Sequence, residues 1–586
     1  MNKKYLIAFI LIVFLPAAFY AQVIESINVS GSVFSKTEYL GWSGVRIGMK
    51  VFPSMFDSVK VNISKRLSER GYFRPSFEGT GLEASADTKK AVLNISVQPG
   101  SPAYVRNISI SGAGPDSAYF DRLYSFMKGQ IFVKSELESN ISSSLDFLQE
   151  RGFPFAKVIL NSIYLTKDTA SNRNAADLFI RIDKGQVTKI DEVKIKGNSK
   201  TADRVILREL RIKTGGLYSQ KLIDEIPQKL DRLRFFEPVE EPSYYLNSRG
   251  EGVLLIDVKE KQTNNFDGIL GYLPGTTEGQ KGYLTGLVNV TLRNLLGTGR
   301  GAAIKWQQLD RYSQDLELRY LEPWLFNYPF NINLALVQHK QDTTYVQRRY
   351  EGSLEYLAAE DISASLVLAA EDVIPTENGS SFLTVFNSST ISTGANLKID
   401  TRDDFYAPAK GIYFFNSYLF SRKKINGPAR FLSQDAVTRV NQQRFAVDFS
   451  IFYEIFNRQV AAIGLHGREL RSSVFEVSDL YRFGGANTLR GYNENQFLAN
   501  RLLWSNVEYR ALLSRRTYGF LFFDSGYYLR SAEPERNIPR TSAFKTGYGL
   551  GINLETGFGV LSVSYALGQG DTFSQGKIHL GLVNEF

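Results

Sequence analysis

A chain of 586 residues with 22% charged side chains, 13% aromatic side chains and a negative mean hydropathy is too long for one ordinary domain and too polar for a bundle of membrane helices. Its formal net charge of +9 arises from 69 basic and 60 acidic residues that are dispersed along the chain, which excludes the basic stripe of a nucleic-acid binder. The lack of cysteine excludes a disulfide framework and a lipoprotein anchor, and the three scattered histidines, His339, His466 and His579, have no metal-ligand spacing.

Lys3 and Lys4, the apolar run from Tyr5 to Phe14 and the small residues Ala17, Ala18 and Ala21 predict a secretory signal peptide over 1–21. Three segments with one pattern follow. Each opens with a short alternating strand closed by glycine: Ser26 to Gly31, Asn107 to Gly112 and Glu192 to Gly197. These glycines recur about 81 and about 85 residues apart, a domain-sized period and not that of a solenoid. Helical stretches then lead to an aromatic stop. The first has Ile63 and Leu67 before Arg70-Gly71-Tyr72-Phe73, the second Leu145 and Leu148 before Arg151-Gly152-Phe153, and the third Leu230 and Leu233 before Phe235-Phe236, with Arg234 where the others carry glycine. Ala91 to Val97, Asp177 to Ile182 and Gly252 to Val258 close the units as strands. The expected boundaries of these α+β modules are 22–100, 101–186 and 187–262.

In this register of glycines and aromatics the units resemble POTRA domains, the periplasmic modules that precede outer-membrane assembly and transport barrels. The resemblance implies an exposed strand edge that accepts an unfolded client strand through main-chain hydrogen bonds, largely independent of client sequence.

From about Asn264 the period changes to two. In Phe445 to Ile455 the odd positions are apolar, while Asp448, Ser450 and Glu454 alternate with them; Ile332 to Leu336, Leu561 to Tyr565 and Lys577 to Leu582 behave alike. One face of such strands meets lipid and the other a polar lumen, so 263–586 is expected to form a transmembrane antiparallel β-barrel. At 9 to 11 residues per crossing, roughly 325 residues accommodate about 16 strands. The cluster Arg422-Lys423-Lys424, beside Asn426-Gly427-Pro428, reads as a solvated turn. Gly297-Thr298-Gly299-Arg300-Gly301 does not read as a phosphate loop, because no helix and no paired acidic residue follow it.

Counting back from the carboxyl end, Glu555-Thr556-Gly557 and Leu513-Ser514-Arg515 are tight periplasmic turns, whereas Ser531 to Arg540 and Arg471 to Ala499 are outer loops. The second of these, the sixth outer loop of a 16-strand barrel, carries Leu489-Arg490-Gly491-Tyr492. A guanidinium is a rigid fork of donors that is worth most against confined carboxylates. Glu508 and Asp524 are candidate partners, each inside a strand where an inner-face acid is tolerated and a lipid-facing one is not.

With that loop the chain resembles the BamA/TamA superfamily of outer-membrane assembly factors; three modules match its TamA-type branch, with Leu296-Gly297-Thr298-Gly299-Arg300 and Asp400-Thr401-Arg402-Asp403, then Pro408 and Gly411, as further matching segments. The resemblance carries the loop motif onto Leu489, Arg490, Gly491 and Tyr492, and an inner-wall motif onto Phe522, Asp524 and Gly526 with Glu508 as a second acidic wall position. It implies contact of Arg490 with Asp524 and Glu508. At the carboxyl end Phe586 fits the family pattern, and Asn584 departs from it by standing where an apolar residue is usual.

The function expected is capture of unfolded clients in the periplasm and their insertion or export through a barrel seam, between a first strand around Leu270 and a last strand holding Gly581, Leu582 and Phe586. The place expected is the bacterial outer membrane, with the amino-terminal modules in the periplasm. Expected partners are unfolded outer-membrane or secreted proteins and the lipid bilayer, with an inner-membrane-anchored periplasmic partner left open and no nucleic acid. No catalytic residue, metal or cofactor is implied, and the chain is not expected to be an enzyme. A two-partner secretion pore that passes clients through the lumen, and a structural or receptor barrel, remain the alternatives.

Overall fold

The computed structural model describes residues 22–583 except 53, 86–88, 169–171, 274–281, 309, 377–384, 428–436, 534–536 and 557–558. The expected signal segment 1–21 and Phe586 therefore lie outside the described residues. The chain divides into two compact units, one of Met1–Lys194, Lys213–Glu225 and Pro242–Leu255, the other of Ile195–Ile212, Ile226–Glu241 and Ile256–Phe586.

In the first unit two α+β folds follow one another. The helix Met55–Ser68 buries Met55, Val59, Ile63 and Leu67, a stripe that recurs every four residues and packs on Leu93, Ile95 and Val97 of the strand Lys90–Val97. That strand lies central, parallel to Val23–Gly31 and antiparallel to Gly81–Ala84. The second fold repeats the plan: Asn174–Asp183 runs parallel to Ala103–Ser111 and antiparallel to Lys157–Lys167, with the helices Ser117–Ser125 and Lys134–Gln149.

Sequence periodicity yields two strands per module, and the structure adds a third, at Gly81–Ala84, Lys157–Lys167 and Ser243–Leu246. These added strands lie at the sheet edge. Lys157–Lys167 contains no fully buried residue, so it lacks the apolar alternation that marks a strand with one face in the core.

The glycines of the aromatic stops make joints. Gly71 accepts a hydrogen bond from the Ala103 amide (2.9 Å) and Gly152 one from the Thr188 amide (2.8 Å), both glycines having positive φ. In the second unit Arg234 takes the same left-handed conformation, φ 61°. Its guanidinium lies over the rings of Phe405 and Tyr406 at 4.7 and 4.9 Å, so a residue with a long side chain gains contacts there that glycine has no means to make.

The second unit holds one 16-stranded antiparallel sheet in which each strand pairs with its sequence neighbour. Its strands are β1 (Asn265–Leu273), β2 (Tyr283–Leu295), β3 (Arg300–Gln308), β4 (Gln314–Glu322), β5 (Phe330–Gln341), β6 (Tyr345–Leu357), β7 (Ile362–Pro375) and β8 (Asn387–Asp400). They continue as β9 (Gly411–Gly427), β10 (Arg439–Phe456), β11 (Gln459–Arg471), β12 (Arg501–Leu512), β13 (Tyr518–Arg530), β14 (Thr541–Thr556), β15 (Gly559–Gly568) and β16 (Lys577–Val583).

Parity separates the two faces. In β13, Tyr518, Phe520, Phe522 and Asp524 are buried while Leu521 and Phe523 are exposed; in β12, Trp504 points inward and Leu503, Val507 and Tyr509 outward. Continuous rows of exposed Leu, Ile, Phe and Tyr are costly against water and suit hydrocarbon.

The turn between β2 and β3 seats the segment before the barrel. Gly297 accepts from the Ala202 amide (3.0 Å), the Arg208 guanidinium donates to the Thr298 carbonyl (3.1 Å), and the Asn294 amide donates to the Thr201 hydroxyl (2.8 Å). Between β8 and β9, Arg402 pairs with Asp400 and Arg516 with Asp404 (3.0 Å).

Candidate functional site in the barrel lumen

The connection from β11 to β12 carries a short hairpin, Tyr481–Phe483 against Phe497–Ala499, whose tip folds onto the inner wall. The turn is shaped by Gly484 and Gly485, both at positive φ: Gly485 donates its amide to the Leu489 carbonyl (3.0 Å), and Gly484 donates to the Thr488 hydroxyl (2.9 Å). Phe483, Leu489 and Tyr492 then pack with Leu502, Trp504 and Tyr528 of β12 and β13. Apolar burial places the loop, and the polar groups set its register.

Arg490 carries that register. Its Nε and Nη2 each donate over 2.8 Å to a different oxygen of Asp524, its backbone amide donates to the same carboxylate (3.1 Å), and its Nη1 donates to Glu508 (2.7 Å). Asp524 is 0% exposed and also accepts from Asn506 Nδ2 (2.8 Å), so both its oxygens are satisfied. Phe522 lies under the guanidinium, 3.7 Å from ring centroid to Cζ. The charge network continues along the wall, where Arg510 donates to the other oxygen of Glu508 (2.9 Å) and lies over Tyr518. A fully buried charge persists only when paired and hydrogen-bonded.

The triplet reaches beyond the acidic wall. A side chain added at Gly547 of β14 would meet the Arg490 carbonyl at 1.9 Å, so this glycine opens the channel in which the loop backbone lies. Tyr492 donates its hydroxyl to the Thr546 carbonyl (3.0 Å) and accepts from the Gln569 amide (3.1 Å), just past β15. Gly491, at φ 92°, donates its amide to His579 of β16 (3.0 Å). Three consecutive residues thus touch β12, β13, β14, the end of β15, and β16. Gly526 lies against Phe483, with no space there for a side chain.

The seam residues lie elsewhere. Leu270 in β1 is 62% exposed, and Gly581 and Leu582 pair with Ser562 and Leu561 of β15. β1 and β16 are the two ends of the strand order, and among the described residues they are not paired with each other.

One reading is corrected. Arg422-Lys423-Lys424 is not a solvated turn but part of β9, and Lys423 is 3% exposed. Its ammonium meets Glu476 at 2.6 Å and both oxygens of Asp479 at 2.8 Å; Gln442 of β10 also donates to Asp479 (3.1 Å). Arg482 donates to the hydroxyl of the buried Tyr345 at the start of β6 (2.9 Å). The loop therefore has a second anchor ahead of its tip. A basic triplet beside Asn-Gly-Pro resembles a turn in local sequence; the parity of β9, continued through it, is the signal that turns Lys423 inward. For Glu476 and Asp479 the sequence signal was weak, since two acids in a polar loop usually face water.

Comparisons with known proteins agree with this architecture. The family model described as an Omp85 superfamily domain matches residues 294–586, half of the chain, and a POTRA model described as a surface antigen variable number repeat matches 188–261. The outer membrane protein assembly factor BamA of Neisseria meningitidis serogroup B is 22% identical over 241 residues, 40% of this chain and 28% of the relative. The protein of the same name from Nitratidesulfovibrio vulgaris is 22% identical over 414 residues, 65% of this chain and 48% of the relative. The chain thus spans between about a quarter and a half of the length of these curated relatives. A crystal structure of BamA from Haemophilus ducreyi lacking POTRA domains 1–3 superposes with a TM-score of 0.49 at 18% identity, over 82% of this chain and 98% of that one. With a POTRA module followed by a matching barrel domain, the chain belongs to the Omp85 superfamily, its barrel set in the outer membrane and its modules in the periplasm.

Proposed function

We propose that this chain is an outer-membrane protein assembly factor that gathers unfolded clients on its periplasmic modules and templates their strands at the seam between β1 and β16. In this reading 22–100, 101–186 and 187–262 act as three modules ahead of the barrel 263–586, the plan of the TamA-type branch. The edge strand Lys157–Lys167, which among the described residues pairs along one side, offers its other side to an extended client. At the seam, backbone groups that lipid leaves unsatisfied drive pairing with an incoming strand.

The observation that carries the reading is the contrast along the sheet. The loop tip clamps β12 and β13 through a saturated ion cluster, whereas β1 and β16 stand at the two ends of the strand order and, among the described residues, each pairs along one side. Rigidity is concentrated beside the edge, while each edge strand keeps a ladder to one neighbour among the described residues. The reading involves strand exchange and no covalent chemistry.

Because the chain has no cysteine, the test is direct. Cysteine pairs placed around Leu270 and Leu582 in several registers lock the seam on oxidation. The expected result is insertion of barrel clients that stops when the seam is oxidised and resumes on reduction. Insertion or secretion that continues through a locked seam overturns this reading in favour of passage through the lumen.

A further inference from the structure

The Gly491–His579 hydrogen bond joins the loop to the sheet's last strand, and neither the acidic wall nor the packing of Tyr492 accounts for it. His579 is buried in β16, flanked by the outward-facing Ile578 and Leu580. A backbone amide only donates, so Nε2 of His579 is the acceptor and its proton lies on Nδ1. Nδ1 faces the Glu494 carboxylate from the same loop at 3.7 Å, and Glu494 accepts from the Ala486 amide (2.6 Å). The loop thus holds both sides of the ring. Among the described residues, it is through His579 that the loop hydrogen-bonds to β16.

We propose that His579 is a positioning residue that couples the sixth loop to the closing strand, so that the seat of Arg490-Gly491-Tyr492 decides how firmly β16 stays on the sheet. Among the described residues β16 is paired along one side only, to β15. A tether from inside the lumen supplies the restraint that a second neighbour would give an internal strand. When the loop is seated, the amide of Gly491 reaches His579 and β16 is held; when it lifts, β16 keeps only its ladder to β15. The consequence for clients rests on the seam reading above, while the tether itself does not.

The experiment uses the full chain in lipid nanodiscs with two introduced cysteines, at the exposed positions Asn487 in the loop and Ile578 in β16, carrying spin labels. The unaltered chain is expected to give one narrow distance distribution. His579→Phe keeps the ring volume but has no acceptor. It should broaden the distribution and raise amide exchange of 577–583 at least tenfold, with exchange around Asp524 unchanged. His579→Gln, whose amide oxygen accepts from Gly491, should restore both.

If His579→Phe leaves distance and exchange as before, or if His579→Gln loosens β16 as much as phenylalanine does, the tether is wrong. His579→Ala repeats the measurement should phenylalanine not be accommodated. Client insertion measured on the same samples tests the seam reading separately. A loosened β16 with an unaltered insertion rate overturns that reading and leaves the tether standing.

Discussion

Arg490 and Asp524 meet as two parallel forks, Nε and Nη2 each donating over 2.8 Å to its own carboxylate oxygen, in a place with no solvent on the acid side. Lysine offers one point charge and loses this geometry. Arg490→Ala leaves the buried Asp524 carboxylate without its cation and Glu508 with Arg510 alone, and is expected to destabilise the folded barrel by about 3–5 kcal/mol, with Arg490→Lys costing a smaller but measurable amount. The denaturant midpoint of barrel unfolding, followed by heat-modifiable gel mobility, checks this; a midpoint for Arg490→Ala equal to that of the parent shows that the cluster is not stabilising.

Lys423 is the equivalent test at the other end of the loop. Lys423→Met removes the ammonium shared by the buried Glu476 and Asp479, leaving Arg444 at 3.9 Å from Asp479, and should cost about 3–5 kcal/mol. Adding Glu476→Gln and Asp479→Asn should recover most of that loss, since removing the whole ion group is far cheaper than breaking it. Limited proteolysis within 472–480 reports the anchor directly: rapid cleavage in the single variant and slow cleavage in the triple variant are expected.

Gly547 separates backbone fit from charge. A methyl there would overlap the Arg490 carbonyl, so Gly547→Ala should lift the loop and cost about 1–3 kcal/mol with every charged residue in place. Gly581→Ala is the control, because the nearest atom to its added carbon is Ser562 Cβ at 3.8 Å. Equal effects at the two sites would remove the case for a glycine-lined channel.

Acid sensitivity is expected just before the barrel, at Glu260. Burial pushes the Glu260 carboxyl up, but hydrogen bonds from Thr201, Lys200 and Ser199 together outweigh it and hold the group below its ordinary value. A lowered carboxyl stabilises the fold fully above the unfolded value and loses that contribution as pH falls through the folded one. Amide exchange at Lys200 and Thr201 should therefore accelerate relative to neighbours as pH drops below the ordinary glutamate range. Glu260→Gln should show fast exchange at all pH values.

What the sequence discloses follows from how local each signal is. Parity along β12 and β13 sends Glu508 and Asp524 inward without any tertiary knowledge, and with Arg490 in the adjoining loop the acidic wall could be named from residues alone. Strand number follows from the span of hydrocarbon, which the chain must match. The second anchor was hidden, because Lys423 lies 53 and 56 residues from its partners and has a turn-like composition beside it. His579 was visible as an inward position, but nothing local announces that the amide of Gly491 arrives at its ring. Edge strands such as Lys157–Lys167 escaped for the opposite reason: too little of each is buried to leave a pattern.

The described anchors of the sixth loop all fall on β6 and beyond, at Tyr345, Lys423 and Gln442 at one end and on β12 to β16 at the other. Mechanically the loop is a chord tied across part of a ring. A ring cut at one point and braced by such a chord keeps its curvature over the braced arc and yields along the arc the chord does not reach. In the proposed seam opening the compliant side is expected to be β1 to β5, which carries the docked turn at Gly297, and the stiffer side the braced arc from β6 to β15.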